Sequence, residues 1–304
     1  MNTKTSDHLL LLETRPPRVL SVSLDGRHIV ELVGNCGGTP DGLAIDYKNR
    51  HIYWTNMGVD WSSNDGFIER VDFDGKNRTV IIPEGATFTP KQIQIDADAG
   101  LLYWCDREGM RVMRSRTDGS DVTVLVETGS TEADRKDERL HCVGIAIDRL
   151  SGRLYWTQKG PPNAGKGGIF SAPLDMPAGM SPRHRSDITL LFDALPEPID
   201  LEWDAKNSLL YWTDRGDPPR GNTLNRCRIV NGVAQTPEIL LSGLDEGIGL
   251  ALDEASGEVY VSDLGGFVRV ASVDRPVEPR LLLSGRGALT GIAFWRASAE
   301  PPSA

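Results

Sequence analysis

Hydrophobic and polar residues alternate over short stretches of this chain, and the stretches recur at a regular distance. Five of them share one pattern, Tyr-Trp or Tyr-Val followed by a small residue and then Asp, Asn or Gln (residues 52–56, 102–106, 154–158, 210–214 and 259–263). Their tyrosines are successively 50, 52, 56 and 49 residues apart. Alternation of period two predicts β-strands. A repeat of about 50 residues with several strands per unit predicts the blades of a β-propeller.

Each repeat contains enough alternating segments for four antiparallel strands. An apolar strand ending in Asp comes first, as at residues 42–46, and a turn rich in Asn, Ser and Gly leads into the Tyr-Trp strand. In three repeats, Asp-Gly or Asn-Gly pairs precede the last strand and can supply the positive φ of a hairpin (residues 74–75, 118–119 and 231–232). No stretch has a convincing helical period, so the sequence predicts an all-β fold.

The two ends of the chain complete the repeat. Residues 289–294 match a first strand with nothing after it, and residues 9–26 align with the second repeat if one gap is allowed. That alignment places residues 11–12 where the Tyr-Trp pair lies, and residues 27–33 then supply a fourth strand. One C-terminal and three N-terminal strands would close the ring and remove an open sheet edge. The sequence predicts a single six-bladed propeller domain over residues 1–304.

The five Tyr-Trp-Thr-Asp-like cores, their spacing and the shared closing blade resemble the YWTD (class B) repeats of the lipoprotein-receptor family. The resemblance covers roughly residues 8–296, the expected ordered core. The fifth repeat has Val261 and Ser262 in place of Trp and Thr, and the sixth has lost the motif. The resemblance implies that the motif Asp and Asn residues bond backbone at blade junctions. Receptor propellers stand beside cysteine-rich modules that this sequence lacks, so the resemblance carries over the fold and not receptor function.

Composition narrows the possible partners. The formal charge is −10 and the pI is near 5.1. This charge argues against nucleic acid and against anionic membrane surfaces, both of which attract basic proteins. The apolar run at residues 9–12 is too short for a signal peptide or a membrane span. Cys36, Cys105, Cys142 and Cys227 fit no metal-binding spacing, so we expect a reduced, cytoplasmic protein that stands alone.

Long insertions are expected on one face of the ring. The loop after each second strand lies on the same face as the start of each first strand, and its length varies among the repeats. It is long at residues 57–66, which include Trp61, and at residues 159–168 and 215–222. The segment 127–141 joins the same face. Variable insertions on one face of a repeat array predict the binding face.

The first strands give the sharpest signal of a site. One side of these strands reads Gly then Ala in four repeats, but it reads Gln92 and Gln94 in the second and Asp200 and Glu202 in the fourth. An unmet hydrogen bond near a packed centre costs about 1–3 kcal/mol, so these exceptions need a reason. Asp200 and Glu202 are candidate carboxylates for acid–base chemistry or metal binding, with the glutamines orienting a ligand. Alternatively, the four side chains bond each other or ordered water and plug the channel.

Further polar residues stand at the starts of the first strands, where they ring the channel mouth. His141 is the histidine among them and is a candidate general base or ligand. The predicted catalytic residues are Asp200, Glu202, His141 and Glu197. The predicted ligand-binding residues are Gln92, Gln94, Asp41, Lys91, Glu246 and Trp61. A divalent metal (Ca²⁺, Mg²⁺, Mn²⁺ or Zn²⁺), if bound, would be held by Glu197, Asp200, Glu202 and Glu246.

Two functions remain open from the sequence. The first is an enzyme acting on a small molecule, a hydrolase, lactonase or lyase, by architectural analogy with the gluconolactonase and strictosidine-synthase-like families. In gluconolactonase-like proteins carboxylates and asparagines hold a divalent metal, whereas the strand starts here offer glutamines. The second is a non-catalytic propeller that binds a protein or ligand, for which Trp61 and the proline pairs at 161–162 and 218–219 are suited. No G-x-S-x-G, HExxH or phosphate-cradling motif is present.

Overall fold

Six antiparallel sheets form a closed ring in the computed structural model of the chain, which describes residues 6–274 and 278–299. The six-bladed propeller predicted from the repeats is therefore confirmed. The expected domain of residues 1–304 also contains residues 1–5, 275–277 and 300–304, which lie outside the described residues.

Every blade has four strands, and blade 4 has a fifth. Blade 1 contains Pro40–Asp46, His51–Asn56, Phe67–Asp72 and Thr79–Ile82. Blade 2 contains Pro90–Asp96, Leu101–Asp106, Arg111–Arg116 and Thr123–Glu127. Blade 3 contains Cys142–Asp148, Arg153–Gln158, Gly167–Pro173 and Thr189–Leu195. Blade 4 contains Pro198–Asp204, Leu209–Asp214, Thr223–Val230, Val233–Ala234 and Glu238–Ser242. Blade 5 contains Gly247–Asp253, Glu258–Asp263, Val268–Ser272 and Arg280–Leu283. Blade 6 contains Leu289–Trp295, His8–Thr14, Pro17–Ser23 and Ile29–Val33.

The first strand of each blade packs against the first strands of its neighbours, so these six strands surround the central channel. Gly42 shows how tightly they approach. A Cβ atom on Gly42 would lie 2.5 Å from the carbonyl oxygen of Lys91 in blade 2. Cβ atoms on Gly144, Gly249 and Gly291 would likewise meet backbone carbonyl oxygens of the following blade. The small residues that the sequence repeats at this position are therefore required by the close approach of adjacent strands.

The motif residues hold adjacent blades together. Tyr53 of blade 1 and Trp104 of blade 2 share one hydrophobic cluster, and the same pairing of neighbours recurs around the ring. The Thr55 hydroxyl donates to the carbonyl oxygen of Lys91 in the next blade at 2.6 Å. The Asp106 carboxylate accepts backbone N–H groups from Phe88 at 2.9 Å and from the residue after it. These contacts confirm the scaffold role that the family resemblance implied.

Blade 6 closes the ring as predicted, but the predicted alignment of its N-terminal strand is wrong by one residue. Leu10 lies opposite Ala293, as Tyr53 lies opposite Ala44 in blade 1. Leu10 and Leu11, rather than residues 11–12, therefore occupy the Tyr and Trp positions. A shift of one residue exchanges the two faces of a strand, but a run of four buried leucines fits either register by hydrophobicity alone.

The corrected register shows that the sixth repeat keeps the acidic end of the motif. Glu13 stands at the motif Asp position and accepts the backbone N–H of Gly287 at 2.7 Å. It also pairs with Arg18 at 2.6 Å and with Arg286 at 3.0 Å. Leu12 stands where the motif Thr would be, so the bond from blade 6 to blade 1 comes from another residue. Thr290 Oγ1 supplies it by donating to the Pro40 carbonyl oxygen at 2.9 Å.

A short helix, Glu132–Arg135, lies in the segment between blades 2 and 3, and 3₁₀ turns occupy Glu138–Leu140, Pro182–His184 and Ala297–Ala299. The sequence had not predicted this helix, because a single turn is too short to show a helical period. Its start has a local cause. The Thr131 side chain accepts the backbone N–H of Asp134, whose own side chain accepts the backbone N–H of Thr131, which makes a capping box.

Candidate functional site

The structure divides the predicted site residues between the two ends of the channel. We call the end where the first strands begin the loop end, and the end where they finish the turn end. The loop end holds Asp41, Lys91, Gln92, His141, Glu197, Glu246 and Trp61. Gln94 and Glu202 line a cavity at the turn end, and Asp200 occupies the same position in its strand as Gln92, next to the loop-end group. The predicted residues therefore form two groups rather than one.

A buried ion pair joins blades 1 and 2 at the loop end. Lys91 Nζ donates to one oxygen of Asp41, and Gln92 Nε2 donates to the other at 3.1 Å. Asp41 is 1% exposed and Lys91 is 6% exposed. Burial lowers the pKa of Lys91, and the charge of Asp41 opposes that effect. Since protein donors occupy both oxygens of Asp41, this cluster fits the plug that the sequence left as an alternative.

Glu197 has cationic partners on both sides. It accepts a hydrogen bond from the Arg215 guanidinium, and its Oε1 lies 3.5 Å from Lys159 Nζ. Lys159 also bonds Glu138. Glu246 stands further out, with a side chain that is 53% exposed and 3.7 Å from Arg215. Glu197 is thus a buried, neutralised carboxylate, and Glu246 is a rim residue.

The sequence interpretation missed three basic residues at the loop end. Arg107, Lys159 and Arg215 each follow directly after the motif strand of blades 2, 3 and 4. The backbone N–H of each donates to the carbonyl oxygen of the residue just before the first strand of the same blade. This hydrogen bond fixes the basic residue at the channel mouth. The corresponding positions of the other blades are Met57, Leu264 and Thr14. A position-by-position alignment of the repeats would have shown a basic residue at this position in three successive blades.

His141 has one nitrogen bonded and one unpaired. Its Nε2 lies 2.9 Å from the Arg135 carbonyl oxygen, so Nε2 carries the proton and Nδ1 is left as an acceptor. Nδ1 is buried and meets no hydrogen-bond partner within residues 6–274 and 278–299. Burial lowers the pKa of His141, while the charge of Glu108 acts in the opposite direction. The ring is therefore a neutral imidazole with an open acceptor at neutral pH.

A cleft of about 910 Å³ lies on the loop face, between the insertion after blade 1's second strand and the short helix. Its lining residues are Val59, Asp60, Trp61, Ser62, Glu108, Glu132, Arg135 and Lys136. Trp61 is 47% exposed, and the Arg107 guanidinium lies 4.8 Å from its ring centroid. Arg107 Nε also donates to Glu108 at 2.7 Å. Trp61, predicted from its loop position alone, thus borders a large cleft beside the charged mouth.

Asp200 bonds backbone on two strands. One carboxylate oxygen accepts the N–H of Leu201 at 2.8 Å, and the other accepts the N–H of Leu250 in blade 5 at 3.0 Å. Burial raises the pKa of Asp200 well above its ordinary value, and the charge of Glu202 adds to the rise. Asp200 therefore links blades 4 and 5, which is a structural role.

Gln94 and Glu202 meet across the channel. Gln94 Nε2 donates to Glu202 Oε1 at 3.2 Å. Burial raises the pKa of Glu202 to about 7, and the charge of Glu254 contributes in the same direction. Both side chains line a cavity of about 210 Å³ at the turn end. Two of the four polar exceptions thus bond each other, and they still face open space.

The carboxylates proposed for a divalent metal do not fit one. Glu197 is neutralised by Lys159 and Arg215, and both oxygens of Asp200 accept backbone N–H groups. In the described part of the chain, no three His, Cys, Asp or Glu side chains are grouped to hold a metal ion.

The cysteines of the described residues form no disulfide and are all buried. Burial raises the pKa of Cys142 to about 12, which disfavours a thiolate nucleophile.

The structure contains no helix, among the residues it describes, that is long and apolar enough to cross a membrane.

Two fungal proteins are similar to this chain over most of its length. One is the low-density lipoprotein receptor-related protein 1 of Pyricularia oryzae, 43% identical over 313 residues that cover 97% of this chain and 100% of that protein. The other is the 3-hydroxyacyl-CoA dehydrogenase-like protein LAM1 of Cochliobolus heterostrophus, 39% identical over 91% of this chain. The chain spans 60% of that second relative's length. No protein-family profile matches the sequence.

Solved structures share the fold at low identity. A chain of the nidogen–laminin complex superimposes with a TM-score of 0.72 at 20% identity, over 95% of this chain and 98% of its own length. A gluconolactonase from Xanthomonas campestris gives 0.62 at 17% identity, over 90% of this chain and 82% of its own. The calcium-binding protein regucalcin from Agrobacterium tumefaciens gives 0.60 at 16% identity, over 86% and 79%. At these identities the likeness establishes the fold alone.

Proposed function

The chain belongs to the YWTD-propeller family of low-density lipoprotein receptor-related proteins, and we propose that it binds a small molecule at the loop end of its channel. The observation that carries the proposal is the cleft of about 910 Å³ beside Trp61. Ligand sites combine an aromatic or apolar wall with a few convergent polar groups. Trp61 supplies the wall, and Glu108 and Arg135 supply polar groups on the facing side.

His141 is a candidate base for a hydrolytic reaction at this site; it is buried and does not itself line the cleft, so the proposed step requires water to reach its Nδ1 past the cleft wall. Its neutral ring holds an unpaired Nδ1, and Glu108, which bounds the cleft, contributes to its electrostatic environment. In the proposed step, Nδ1 accepts a proton from water as the water oxygen adds to an ester or lactone carbonyl carbon. The single bond between the carbonyl carbon and the oxygen of the leaving alcohol then breaks, and the proton passes from Nδ1 to that alcohol oxygen. The gluconolactonase among the structural neighbours makes lactones the first substrates to test.

A panel of lactones and aryl esters tests the proposal by hydrolysis rate and by thermal shift. Trp61→Ala is expected to raise KM or Kd about tenfold, because an aromatic wall of the cleft is lost. Leu150→Ala is the matched control, since Leu150 is 87% exposed in a turn at the opposite face. His141→Asn is expected to lower kcat at least 100-fold with little change in KM. If no compound is hydrolysed and none shifts the melting temperature, the small-molecule proposal is wrong.

A protein partner at the same face is a second candidate. Val59 is 84% exposed beside the half-exposed Trp61, and exposed apolar groups at a loop tip are typical of recognition surfaces. In this case Trp61→Ala and Val59→Ser would abolish co-purification of a specific protein while small molecules had no effect. If both variants still co-purified that protein, this candidate would be excluded.

A further inference from the structure

We propose a second ligand site at the turn end of the channel, where Glu202 binds the ammonium group of a small amine with an apolar body. The site lies at the opposite end of the channel from the cleft beside Trp61, and its existence does not depend on that proposal. Three features support it: the shape of the cavity, the chemistry of its wall and the missing cation partner of Glu202.

The cavity has one polar side and one apolar side. Gln94 and Glu202 project from blades 2 and 4, whereas blades 1, 5 and 6 contribute Ala44, Ala251 and Ala293 at the corresponding positions. The small alanines leave the open volume of about 210 Å³. Larger apolar side chains complete the wall: Leu43, Ile45, Ile93, Ile95, Trp203, Leu252, Ile292 and Phe294. An occupant therefore meets the carboxylate–amide pair on one side and these apolar side chains on the other, with Tyr47, Arg149 and Glu254 completing the lining.

Glu202 differs in its partners from the most deeply buried glutamates of the described residues. Glu13, Glu69 and Glu197 are each bonded to an arginine, and each is 5% exposed or less. Within the described residues no arginine, lysine or histidine nitrogen lies within 4.0 Å of a Glu202 oxygen, and its side-chain partner is the neutral amide of Gln94. A carboxylate in a low-dielectric environment is strongly stabilised by a nearby positive charge. The protein supplies that charge for the other three glutamates, and a ligand would supply it for Glu202.

The surrounding charges favour a cation over an anion. Glu254 acts on Glu202 as a like charge, and Arg149 is the opposing positive group at the cavity rim. Arg149 is directed elsewhere, since it donates to the Ile95 carbonyl oxygen at 2.8 Å and lies 4.0 Å from Asp96. The volume is below the range of drug-sized pockets, so the occupant is small. A single ammonium also suits the site better than a metal ion, which needs several oxygen ligands.

Cyclohexylamine and cyclohexanol are matched probes for this site, because they have the same ring and differ in charge. Binding is measured by calorimetry and thermal shift at pH 8 in phosphate buffer, which contains no competing primary amine. The expected result is that cyclohexylamine binds at least tenfold more tightly than cyclohexanol. Glu202→Gln is expected to weaken cyclohexylamine binding at least tenfold and to leave cyclohexanol binding unchanged. Equal affinity for the two probes, or unchanged amine affinity in Glu202→Gln, would overturn the proposal.

Two further variants separate this site from general effects. Glu246→Gln removes the same charge at the opposite end of the channel and is expected to leave amine binding unchanged. Ala293→Leu fills the cavity without changing charge and is expected to weaken binding of both probes at least tenfold, which tests the location of the site if Glu202→Gln does not fold.

Nα-acetyllysine amide tests whether a protein lysine is the source of the ammonium. Binding of this derivative without binding of cyclohexylamine would overturn the assignment to a small free amine.

Discussion

The two ends of the channel are built by the same six strands, but they treat buried charge in opposite ways. At the loop end, Asp41 and Glu197 have cationic partners within the protein. At the turn end, Glu202 has two neutral partners, the amide of Gln94 and the backbone N–H of Trp203. A neutralised network holds blades together and is damaged when one partner is removed, whereas an unpaired carboxylate destabilises the fold and is available to a ligand. The difference indicates that the loop-end charges are scaffold and that the turn-end carboxylate is not.

The largest expected effect comes from breaking the loop-end pair. Lys91→Met leaves Asp41 buried with only Gln92 as a partner, and removal of one member of a buried pair costs about 3–5 kcal/mol. Urea unfolding at pH 7 measures the loss. The double change Asp41→Asn with Lys91→Met removes both charges and is expected to recover more than half of it. A loss below about 1 kcal/mol for Lys91→Met would show that the pair is not a structural element.

At the turn end, removing the charge is expected to increase the free energy of unfolding rather than to decrease it. Burial raises the pKa of Glu202 from its ordinary 4.5 to about 7, so the folded protein holds this proton more tightly than the unfolded chain. The resulting stability is fully present below pH 4.5 and is lost as the pH rises through 7. Glu202→Gln cannot ionise and is expected to be more stable than the native protein at pH 8 by about 3 kcal/mol. The gain should shrink towards zero near pH 5, and urea unfolding at both pH values checks it.

A smaller effect is expected when Glu202 loses its hydrogen-bond partner. Gln94→Leu removes the donor at 3.2 Å, so the pKa of Glu202 should rise further and stability at pH 8 should fall by about 1 kcal/mol. Titration of the Glu202 carboxyl by NMR measures the pKa directly. In the Lys91→Met background the effect of Gln94→Leu should be unchanged, because the two ends are separate. Strong coupling between these changes would contradict the division of the channel into two independent ends.

The smallest effect is expected at the rim. Glu246 is 53% exposed and 3.7 Å from Arg215, and exposed ion pairs contribute about 0–1 kcal/mol. Glu246→Gln should therefore change the free energy of unfolding by less than about 0.5 kcal/mol at 0.15 M salt. A larger change would indicate that Glu246 belongs to the buried network of Glu197 rather than to the solvent-exposed rim.

The predicted site residues illustrate how far sequence reasoning reached. The exceptions Gln92, Gln94, Asp200 and Glu202 were found because the repeat supplies its own comparison at each position. Their partners could not be found in this way. Glu202 bonds Gln94, which is 108 residues away, whereas Asp200 bonds backbone of blade 5. Side chains on the same face of one strand thus have different roles, because Asp200 meets the backbone of blade 5 whereas Glu202 meets a side chain of blade 2.

The sequence by itself determined the ring, its six blades and its closure through the two ends, because strand periodicity and repeat spacing are local properties of the chain. It also determined which face carries the long insertions, including Trp61. Tertiary structure alone decided the register of the four N-terminal leucines, since hydrophobicity does not distinguish adjacent leucines. It also decided which carboxylates are neutralised, because the partners of Asp41, Glu197 and Glu202 come from other blades. Burial raises the energetic importance of each of these pairings, and burial is set by how the blades pack.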